Sequence, residues 1–309
     1  MSSRLFMSSG DLVAGRRCNF ARDLQLRGDL DAAADLLRQA VELAPDFASA
    51  WFALGDLCEQ LDHRADAIRA YREAARADAD DRHGASLRLI RLDAAPLTAM
   101  PQGYVRTLFD QYAPRFESSL VGDLGYRGPD LLFKAVLAVR AATRRPAFFR
   151  RAIDLGCGTG LAARAFAANV DAIVGIDLAP QMLARARATG LYAALAVADL
   201  VEGLRGEPDA SADLILAADA AVYLDDLAPM LAAASRVMTP DGLIALTLET
   251  HSGDGVVLGR GLRYAHSEQH LRDACVAAGL TLASLEDAWA RREDGVPAPG
   301  LVAVATRRP

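Results

Sequence analysis

The sequence predicts two domains: an all-α repeat domain, followed by an α/β domain built on a doubly wound parallel sheet. Three observations support this prediction. A pattern of small and large apolar residues recurs after 34 positions near the N-terminus, as from Ala33 to Ala67. From Ile153 onward, short apolar runs alternate with helical segments. The first of these runs leads directly into a glycine-rich turn, which is typical of sites for nucleotide-like cofactors.

The repeat involves residues that would meet where two helices pack together. The recurring pairs are Ala33 with Ala67, Leu37 with Tyr71, and Ala40 with Ala74. Trp51 opens the second copy, and Gly55 would let the next helix approach closely. The pattern resembles the tetratricopeptide repeat family over residues 14–81. We therefore expect residues 14–97 to form two such repeats, with a capping helix starting in residues 82–95.

Seven apolar runs are candidate strands: 152–155, 172–176, 193–198, 213–217, 243–248, 282–289 and 301–306. Each of the first four precedes a plausible helix, as in a parallel sheet. The last two runs are separated by residues 291–300, which carry two prolines and two glycines. That loop is too short for a crossover helix, so the last two runs should pair as an antiparallel hairpin.

The glycine-rich turn follows the first strand as Gly156-x-Gly158-x-Gly160. Glycine lets the backbone bend sharply and come close to a ligand. Leu161 stands where a nicotinamide-binding fingerprint has its third glycine. With Asp154 ahead of the glycines, the spacing resembles motif I of class I S-adenosylmethionine-dependent methyltransferases. That resemblance implies a seven-stranded methyltransferase sheet and S-adenosyl-L-methionine as the cofactor.

The resemblance covers residues 104–309 and implies a set of cofactor-binding residues near the ends of the first four strands. These residues are Asp154, Gly156, Cys157, Gly158, Gly160, Asp177, Leu178, Met182, Asp199, Leu200 and Asp219. Asp177 would accept hydrogen bonds from the ribose hydroxyls, and Asp199 would contact the adenine. The alternative for both aspartates is a capping role. Met182 could equally fill the core, and Asp219 could lie at a wet strand end. The family usually has a serine where Ala179 stands.

Residues 98–150 are expected to form a linker and lid helices, and residues 151–309 the methyltransferase domain. The segment Phe109-Asp110-Gln111-Tyr112-Ala113-x-x-Phe116 and the segment 263–267 are similar to segments of a bacterial group of methyltransferases with N-terminal tetratricopeptide repeats. We expect Tyr112 to close over the methionine end of the cofactor. Residues 251–261 contain four glycines, which predicts a mobile substrate loop.

Transfer of a sulfonium methyl group depends mostly on positioning, and a general base helps when the acceptor still carries a proton. The candidate catalytic residues are His266, Tyr112, His251, Tyr223 and Glu249. His251 and His266 fall in segments at the carboxyl end of the sheet, where ligands bind in such folds. We expect His266, with Arg263, to contact the acceptor. The alternative is a purely structural histidine ahead of a helix capped by Ser267.

Composition narrows the classes of partner. A formal charge of −6 argues against nucleic acid, and no apolar run approaches the roughly 18 residues of a membrane span. We therefore expect a cytoplasmic protein without a membrane segment. The four cysteines are far apart in the sequence, which predicts neither a metal site nor disulfides.

Three functions remain open at this point. The first is a methyltransferase whose unknown acceptor is a small molecule or a protein. The second is an interaction module with an inactive methyltransferase domain, and the third is another nucleotide-cofactor enzyme, such as a dehydrogenase. The repeats predict a protein partner, although they could instead pack on the second domain or mediate dimerisation.

Overall fold

The computed structural model describes residues 5–118, 125–293 and 295–308. The chain divides between Thr107 and Leu108 into two compact units. Within the described ranges, no helix combines the length and apolar character needed to cross a bilayer.

The first unit is helical. Its helices are α1 (Leu12–Leu26), α2 (Leu30–Leu43), α3 (Ala48–Gln60), α4 (Arg64–Ala77) and α5 (Ala85–Arg91), and α6 (Gln102–Tyr112) begins in it. Asp11 caps α1 by accepting hydrogen bonds from the backbone of Val13 at 2.8 Å and Ala14 at 2.9 Å. Asp29 caps α2 in the same way. Because α1–α2 and α3–α4 form two helix pairs, the predicted repeat architecture is confirmed.

Small residues determine how closely these helices pack. Ala33, Ala67 and Ala40 are fully buried, as the 34-residue pattern predicts. At Gly55 in α3, an added β-carbon would lie 2.6 Å from the ring of Tyr71, whose side chain is also fully buried. The ring of Tyr71 therefore occupies space that only a glycine leaves open.

The second unit is an α/β fold around one large sheet. Its strands are β1 (Phe149–Leu155), β2 (Val170–Asp177), β3 (Ala194–Val197), β4 (Ala212–Ala217), β5 (Met238–Thr250), β6 (Val256–Leu258), β7 (Tyr264–His266), β8 (Leu280–Ala288), β9 (Arg292–Glu293), β10 (Val296–Pro297) and β11 (Gly300–Arg307). The main strand order is β3-β2-β1-β4-β5-β11-β8. The first five strands of this path pair parallel, and β11 pairs antiparallel with both β5 and β8. All seven predicted strands and the closing hairpin are confirmed.

Helices cover both faces of this sheet. They are α7 (Gly128–Ala142), α8 (Leu161–Phe166), α9 (Pro180–Ala188), α10 (Leu200–Arg205), α11 (Ala228–Val237) and α12 (Glu268–Ala277). Neighbouring strand residues point to opposite faces: Ala152 and Leu214 pack with α7 and α8, whereas Ile153 and Ile215 pack with α10, α11 and α12. Burial on both faces explains why the parallel strands are continuous apolar runs in the sequence.

Two predicted loops contain strands. Within residues 251–261, β6 pairs antiparallel with β7, and β7 pairs parallel with β5. The predicted loop thus contains a short strand at residues 256–258, which the sequence did not indicate because the glycines dominate the local signal and hide a short Val-Val-Leu run. The loop between β8 and β11 likewise folds into the small β9–β10 hairpin.

The contact at Gly55 predicts that two glycine-to-alanine substitutions in the repeats change the free energy of unfolding in opposite directions. Gly55→Ala should destabilise the repeats, because crowding a packed core costs about 1–3 kcal/mol, more than the gain of about 0.5–1 kcal/mol from replacing a helical glycine. Gly15→Ala in α1 is the matched control, since an added β-carbon there meets no atom within 4 Å. Gly15→Ala should raise the free energy of unfolding, measured by urea titration of helical circular dichroism. Equal effects of the two substitutions would contradict this packing.

Candidate active site

The glycine-rich turn leaves β1 with three residues in the left-handed region. The φ angles are +63° at Gly156, +54° at Gly158 and +96° at Gly160, which glycine adopts at no steric cost. The backbone N–H groups of Gly156 and Cys157 both donate to the carbonyl of Ile176. A β-carbon built on Gly156 would lie 2.5 Å from that of Ala220, so the turn packs directly on the chain that follows β4.

Asp177, the last residue of β2, ties this turn to the next helix. Its Oδ2 accepts from the N–H of Gly158 at 2.8 Å, and its Oδ1 accepts from the N–H of Ala179 at 2.8 Å. Burial raises the pKa of Asp177, and these hydrogen bonds oppose that rise. Asp177 thus bonds the backbone of Ala179, the N-cap residue just before α9, and is not itself the N-cap residue. Each carboxylate oxygen has capacity for a further hydrogen bond.

Asp154 lies on β1 with one carboxylate oxygen engaged. Its Oδ2 accepts from the hydroxyl of Tyr192 at 2.7 Å, while Oδ1 is buried without a hydrogen-bond partner among the described residues. Burial raises the pKa of Asp154 to about 7. Tyr192 was not among the sequence candidates, because a tyrosine in the loop before β3 carries no motif signal.

Three further cofactor candidates lie in the turn or in the segment after β2. Cys157 is buried, and burial raises the pKa of its thiol, so the thiol stays protonated at neutral pH. Met182 is fully buried and packs with Ala179 and Ala113, which agrees with the core-filling alternative. Leu178 is half-buried.

The candidates after β3 lie at the start of α10. Asp199 is half-buried and caps α10 by accepting from the N–H of Val201 at 2.9 Å. Leu200 is half-buried beside Gly156: a β-carbon on that glycine would lie 3.9 Å from a Leu200 methyl carbon. These two residues and the glycine turn therefore lie along the same edge of the sheet.

Residues 108–118, called the cover segment below, lie across the glycine turn and the start of α9. Asp110 accepts from the N–H of Gln181 at 2.9 Å, and Glu117 forms a two-point ion pair with Arg164 at 2.8 and 2.9 Å. The ring of Phe116 comes within 3.7 Å of the β-carbon position on Gly158. Tyr112 lies in this segment, with its ring centroid 5.5 Å from that of Phe116.

A buried charged cluster lies past the carboxyl ends of β4 and β5. We call it the Arg291 cluster: Arg291, Asp219, Glu249, Arg263 and Tyr223. Arg291 is 2% exposed, with its Nε 3.4 Å from Asp219 and its guanidinium in direct contact with Glu249. Asp219 is largely buried and paired with a cation, so it does not lie at a wet strand end. Burial raises the pKa of Glu249, against the opposing effect of Arg291 and Arg263.

Arg263 and Tyr223 complete this cluster. The Nε of Arg263 donates to the hydroxyl oxygen of Tyr223 at 3.1 Å. Burial lowers the pKa of Arg263, but the neighbouring Tyr223, Asp219 and Glu249 outweigh it and raise the pKa overall, so the guanidinium stays charged. The ring of Tyr223 meets Phe109 of the cover segment edge-on, with 5.3 Å between centroids.

The two candidate histidines have different environments. His251 has both ring nitrogens engaged by its own loop: Nδ1 accepts from Gly253 at 3.1 Å, and Nε2 lies 3.2 Å from the carbonyl of Gly255. His266 is fully buried and stacks on His270 at 5.3 Å. Neither of its ring nitrogens has a partner among the described residues, and burial lowers its pKa to about 4.

The structure thus brings most sequence candidates to one edge of the sheet, and it adds residues that the sequence did not indicate. Arg291 and Tyr126 are the clearest additions. Burial raises the pKa of Tyr126, and the charges of Asp219 and Asp154 raise it further. An arginine at the start of a loop with two prolines gives no signal from which this role could be predicted.

Family models match two parts of the chain. Residues 153–246 match a methyltransferase domain, and residues 24–89 match a tetratricopeptide repeat. The chain is also similar to human methyltransferase-like protein 27, with 31% identity over 174 residues, covering 56% of this chain and 66% of that protein.

Two other relatives match shorter stretches. A ubiquinone biosynthesis O-methyltransferase of Xylella fastidiosa is 31% identical over 121 residues, covering 37% of this chain and 49% of the relative. A trans-aconitate 2-methyltransferase of Methylobacterium radiotolerans is 37% identical over 101 residues, covering 32% of this chain and 38% of the relative. The chain spans less than two thirds of the length of each of these three relatives.

Solved structures share the fold of the second unit. The 1,6-didemethyltoxoflavin-N1-methyltransferase of Burkholderia thailandensis has a TM-score of 0.51 and 19% identity, covering 70% of this chain and 93% of that one. The [4+2]-cyclase SpnF has a TM-score of 0.54 and 19% identity, covering 69% and 99%. Residues 153–246 therefore belong to the methyltransferase domain family, and residues 24–89 belong to the tetratricopeptide repeat family.

Proposed function

We propose that the chain is an S-adenosylmethionine-dependent methyltransferase that binds its cofactor on the glycine turn. The observation that carries this proposal is the hydrogen bond from Gly158 N–H to Asp177. The nearest described atoms to a β-carbon position on Gly158 are two ring carbons of Phe116 and the Gly156 oxygen, at 3.7 to 4.0 Å. The Asp177 carboxylate therefore lies next to glycine backbone that no side chain of its own covers. That combination fits a ribose and the chain attached to it.

The surrounding residues fit the remaining parts of this cofactor. Asp177 would accept the ribose hydroxyls with its remaining lone pairs, and Asp199 with Leu200 would contact the adenine. The unpartnered Oδ1 of Asp154 is suited to the amino group of the methionine part, since a buried acceptor without a donor is otherwise costly. Once bound, S-adenosylmethionine supplies a sulfonium methyl carbon open to in-line displacement.

The Arg291 cluster would form the acceptor side. Arg263 donates to the oxygen of Tyr223, which leaves the Tyr223 O–H available to orient an acceptor atom. Glu249 is the proposed proton acceptor, because burial has already raised its pKa toward neutral pH. His251 uses both ring nitrogens locally, and His266 is fully buried, so both are weaker candidates. Tyr112, as part of the cover segment, would close over the methionine end of the cofactor.

The relatives support methyl transfer but differ in acceptor. Their names describe an O-methyltransferase of ubiquinone biosynthesis and a trans-aconitate 2-methyltransferase. One solved structure with the same fold is named as a cyclase and not as a methyltransferase. Cofactor binding and methyl transfer therefore need separate measurements, which also distinguish an active enzyme from an interaction module with an inactive domain.

The cofactor proposal predicts the effect of Asp177→Ala on affinity. Loss of a charged acceptor should weaken binding of S-adenosylmethionine by about 1.5–3 kcal/mol, or roughly 10- to 150-fold, in calorimetric titration. Asp171→Ala is the matched control, because Asp171 is exposed near the opposite end of the same strand. Unchanged affinity in a folded Asp177→Ala protein would remove Asp177 from the ribose site. If the unsubstituted chain fails to bind, the cofactor assignment fails.

The proposed base predicts a change in turnover without a change in cofactor binding. Once an acceptor is found by screening for S-adenosylhomocysteine release, Glu249→Gln should lower turnover at least about tenfold. The unsubstituted enzyme should lose activity as the pH falls and Glu249 takes up a proton, whereas the variant should lack this acid limb. His266→Ala is the comparison variant. A tenfold loss confined to His266→Ala would transfer the role to the histidine.

The Arg291 cluster predicts a stability effect that depends on pH. Arg291→Met removes the cation that is ion-paired with two largely buried carboxylates and leaves Arg263 as a neighbouring cation, which should cost about 3–5 kcal/mol at neutral pH. The pKa of Glu249 in the folded state then rises further above its unfolded value of 4.5. The folded form holds a proton that the unfolded form releases, so stability falls as the pH rises from about 4 through the folded pKa.

Arg205→Met is the matched control, because its ion pair with Glu202 is well exposed at 62% and 64% of the two side chains. This control should change the free energy of unfolding by less than about 0.5 kcal/mol at any of these pH values. Denaturant titrations at pH 4.5 and 7.5 check the comparison. An Arg291→Met protein that loses no more stability at pH 7.5 than at pH 4.5 would show that the cluster is not effectively desolvated.

A further inference from the structure

The repeats carry an extended segment on their surface that belongs to the same chain. Residues 5–9 precede α1 and form no helix or strand, and their burial alternates along the segment. Leu5, Met7 and Ser9 are half-buried, whereas Phe6 and Ser8 are exposed. An alternation with a period of two is how an extended peptide lies on a surface.

Aromatic packing holds one residue of this segment. The ring of Phe6 meets the ring of Phe47 edge-on, with 5.6 Å between centroids. Phe47 is 1% exposed and lies immediately before α3, so it is part of the repeat core rather than of the segment. Phe6 itself remains 49% exposed, which leaves half of its surface in water.

The hydroxyl of Ser49 binds the backbone of the next residue. Ser49 Oγ accepts from the N–H of Met7 at 2.7 Å and lies 3.4 Å from the Met7 carbonyl oxygen, to which it donates. It also lies 3.0 Å from His83 Nε2. A hydroxyl has one donor and two acceptor positions, so Met7 and His83 use its full capacity. Ser49 thus recognises a peptide unit and not a particular side chain.

Ser49 and His83, which make these contacts, are one repeat period apart in the sequence. Residues 15, 49 and 83 are each separated by the 34-residue period. Gly15 is half-buried, and a β-carbon there would meet no atom within 4 Å, so the first of these positions is open. His83 packs on Phe52, with 5.3 Å between ring centroids. Burial lowers the pKa of His83, which keeps the ring neutral beside Ser49 at neutral pH.

We propose that Phe47, Ser49 and His83 form a binding site for an extended peptide with an aromatic residue, and that residues 5–9 fill it as an intramolecular ligand. Because Ser49, which His83 contacts, bonds the backbone of Met7 and not its side chain, a partner peptide can replace the chain's own segment without matching its sequence. The aromatic side chain that packs on Phe47 supplies the selectivity. A partner must displace residues 5–9, so their affinity sets a threshold for association.

The test measures binding of the chain's own segment added in trans. The probe is a fluorescently labelled peptide of residues Leu5 to Gly10, followed by fluorescence anisotropy. The site is opened in two ways. The first variant lacks residues 2–9 but keeps Asp11, which caps α1. The second is Met7→Pro in the full chain, which removes the N–H that donates to Ser49. Ser8→Ala, at an exposed position of the segment, is the control for Met7→Pro.

Both opened proteins should bind the peptide saturably and at least about tenfold more tightly than the unsubstituted chain, whose attached segment competes at millimolar effective concentration. In the shortened chain, Ser49→Ala should weaken binding at least about fivefold, the loss expected for one or two hydrogen bonds. A peptide with alanine in place of Phe6 should bind more weakly as well. Glu42→Ala, exposed on α2, should leave the affinity unchanged.

Three results would overturn the proposal. One is equal peptide affinity in the opened and unsubstituted chains, and another is an affinity that does not depend on Ser49. The third is no binding up to millimolar peptide. If the shortened chain loses helicity, the Met7→Pro chain decides by the same titration, with hydrogen exchange of the unsubstituted chain's Met7 amide as the second readout. Fast exchange of that amide would show that the segment is not bound.

Discussion

The carboxylate of Asp177 joins three parts of the second unit through hydrogen bonds. It accepts from Gly158 in the turn after β1 and from Ala179 at the start of α9, and it is itself the last residue of β2. The conformation of the turn is not fixed by its three glycines alone, because glycine adopts many backbone conformations with similar ease. Two charge-assisted hydrogen bonds in a buried setting hold them in one arrangement. The cover segment is then anchored on either side of this point, at Gln181 and at Arg164.

A second constraint is the burial of charge beyond β4 and β5. Arg291 is 2% exposed and holds two carboxylates, an arrangement that contributes little net stability compared with apolar packing. Such a cluster is stable only while every member keeps its partners, so its geometry is closely determined. One member of the cluster, Tyr223, bonds Arg263 and contacts Phe109 of the cover segment. The glycine turn and the charged cluster therefore belong to one edge of the sheet and share one covering element.

The sheet could be predicted from sequence because parallel strands are buried on both faces and leave continuous apolar runs. The repeats could be predicted because helix contacts require small residues at a fixed period, as Gly55 against Tyr71 illustrates. The glycine turn is visible because its positive φ angles favour one residue type. These features are local, or they recur at a regular spacing.

The features that the sequence did not reveal depend on long-range contacts between residues of ordinary type. Arg291 meets Asp219 and Glu249 across 72 and 42 positions, and nothing near Arg291 in the chain marks it. Tyr192 reaches Asp154 from the loop before β3. His266 was chosen for its position at the carboxyl end of the sheet, but whether such a residue faces the opening or the core is decided by the packing of β6, β7 and α12. Side-chain direction at strand ends is set by tertiary structure.

The central claim is that the glycine turn and Asp177 hold S-adenosylmethionine. A crystal structure of the full chain with S-adenosylhomocysteine tests it most directly, because that product has the same ribose, adenine and amino acid parts. The account predicts ribose hydroxyls within about 3 Å of the Asp177 carboxylate, the distance of a hydrogen bond. It also predicts the homocysteine amino group near Asp154. A nucleoside bound elsewhere on the chain, or a ribose without contact to Asp177, would contradict it.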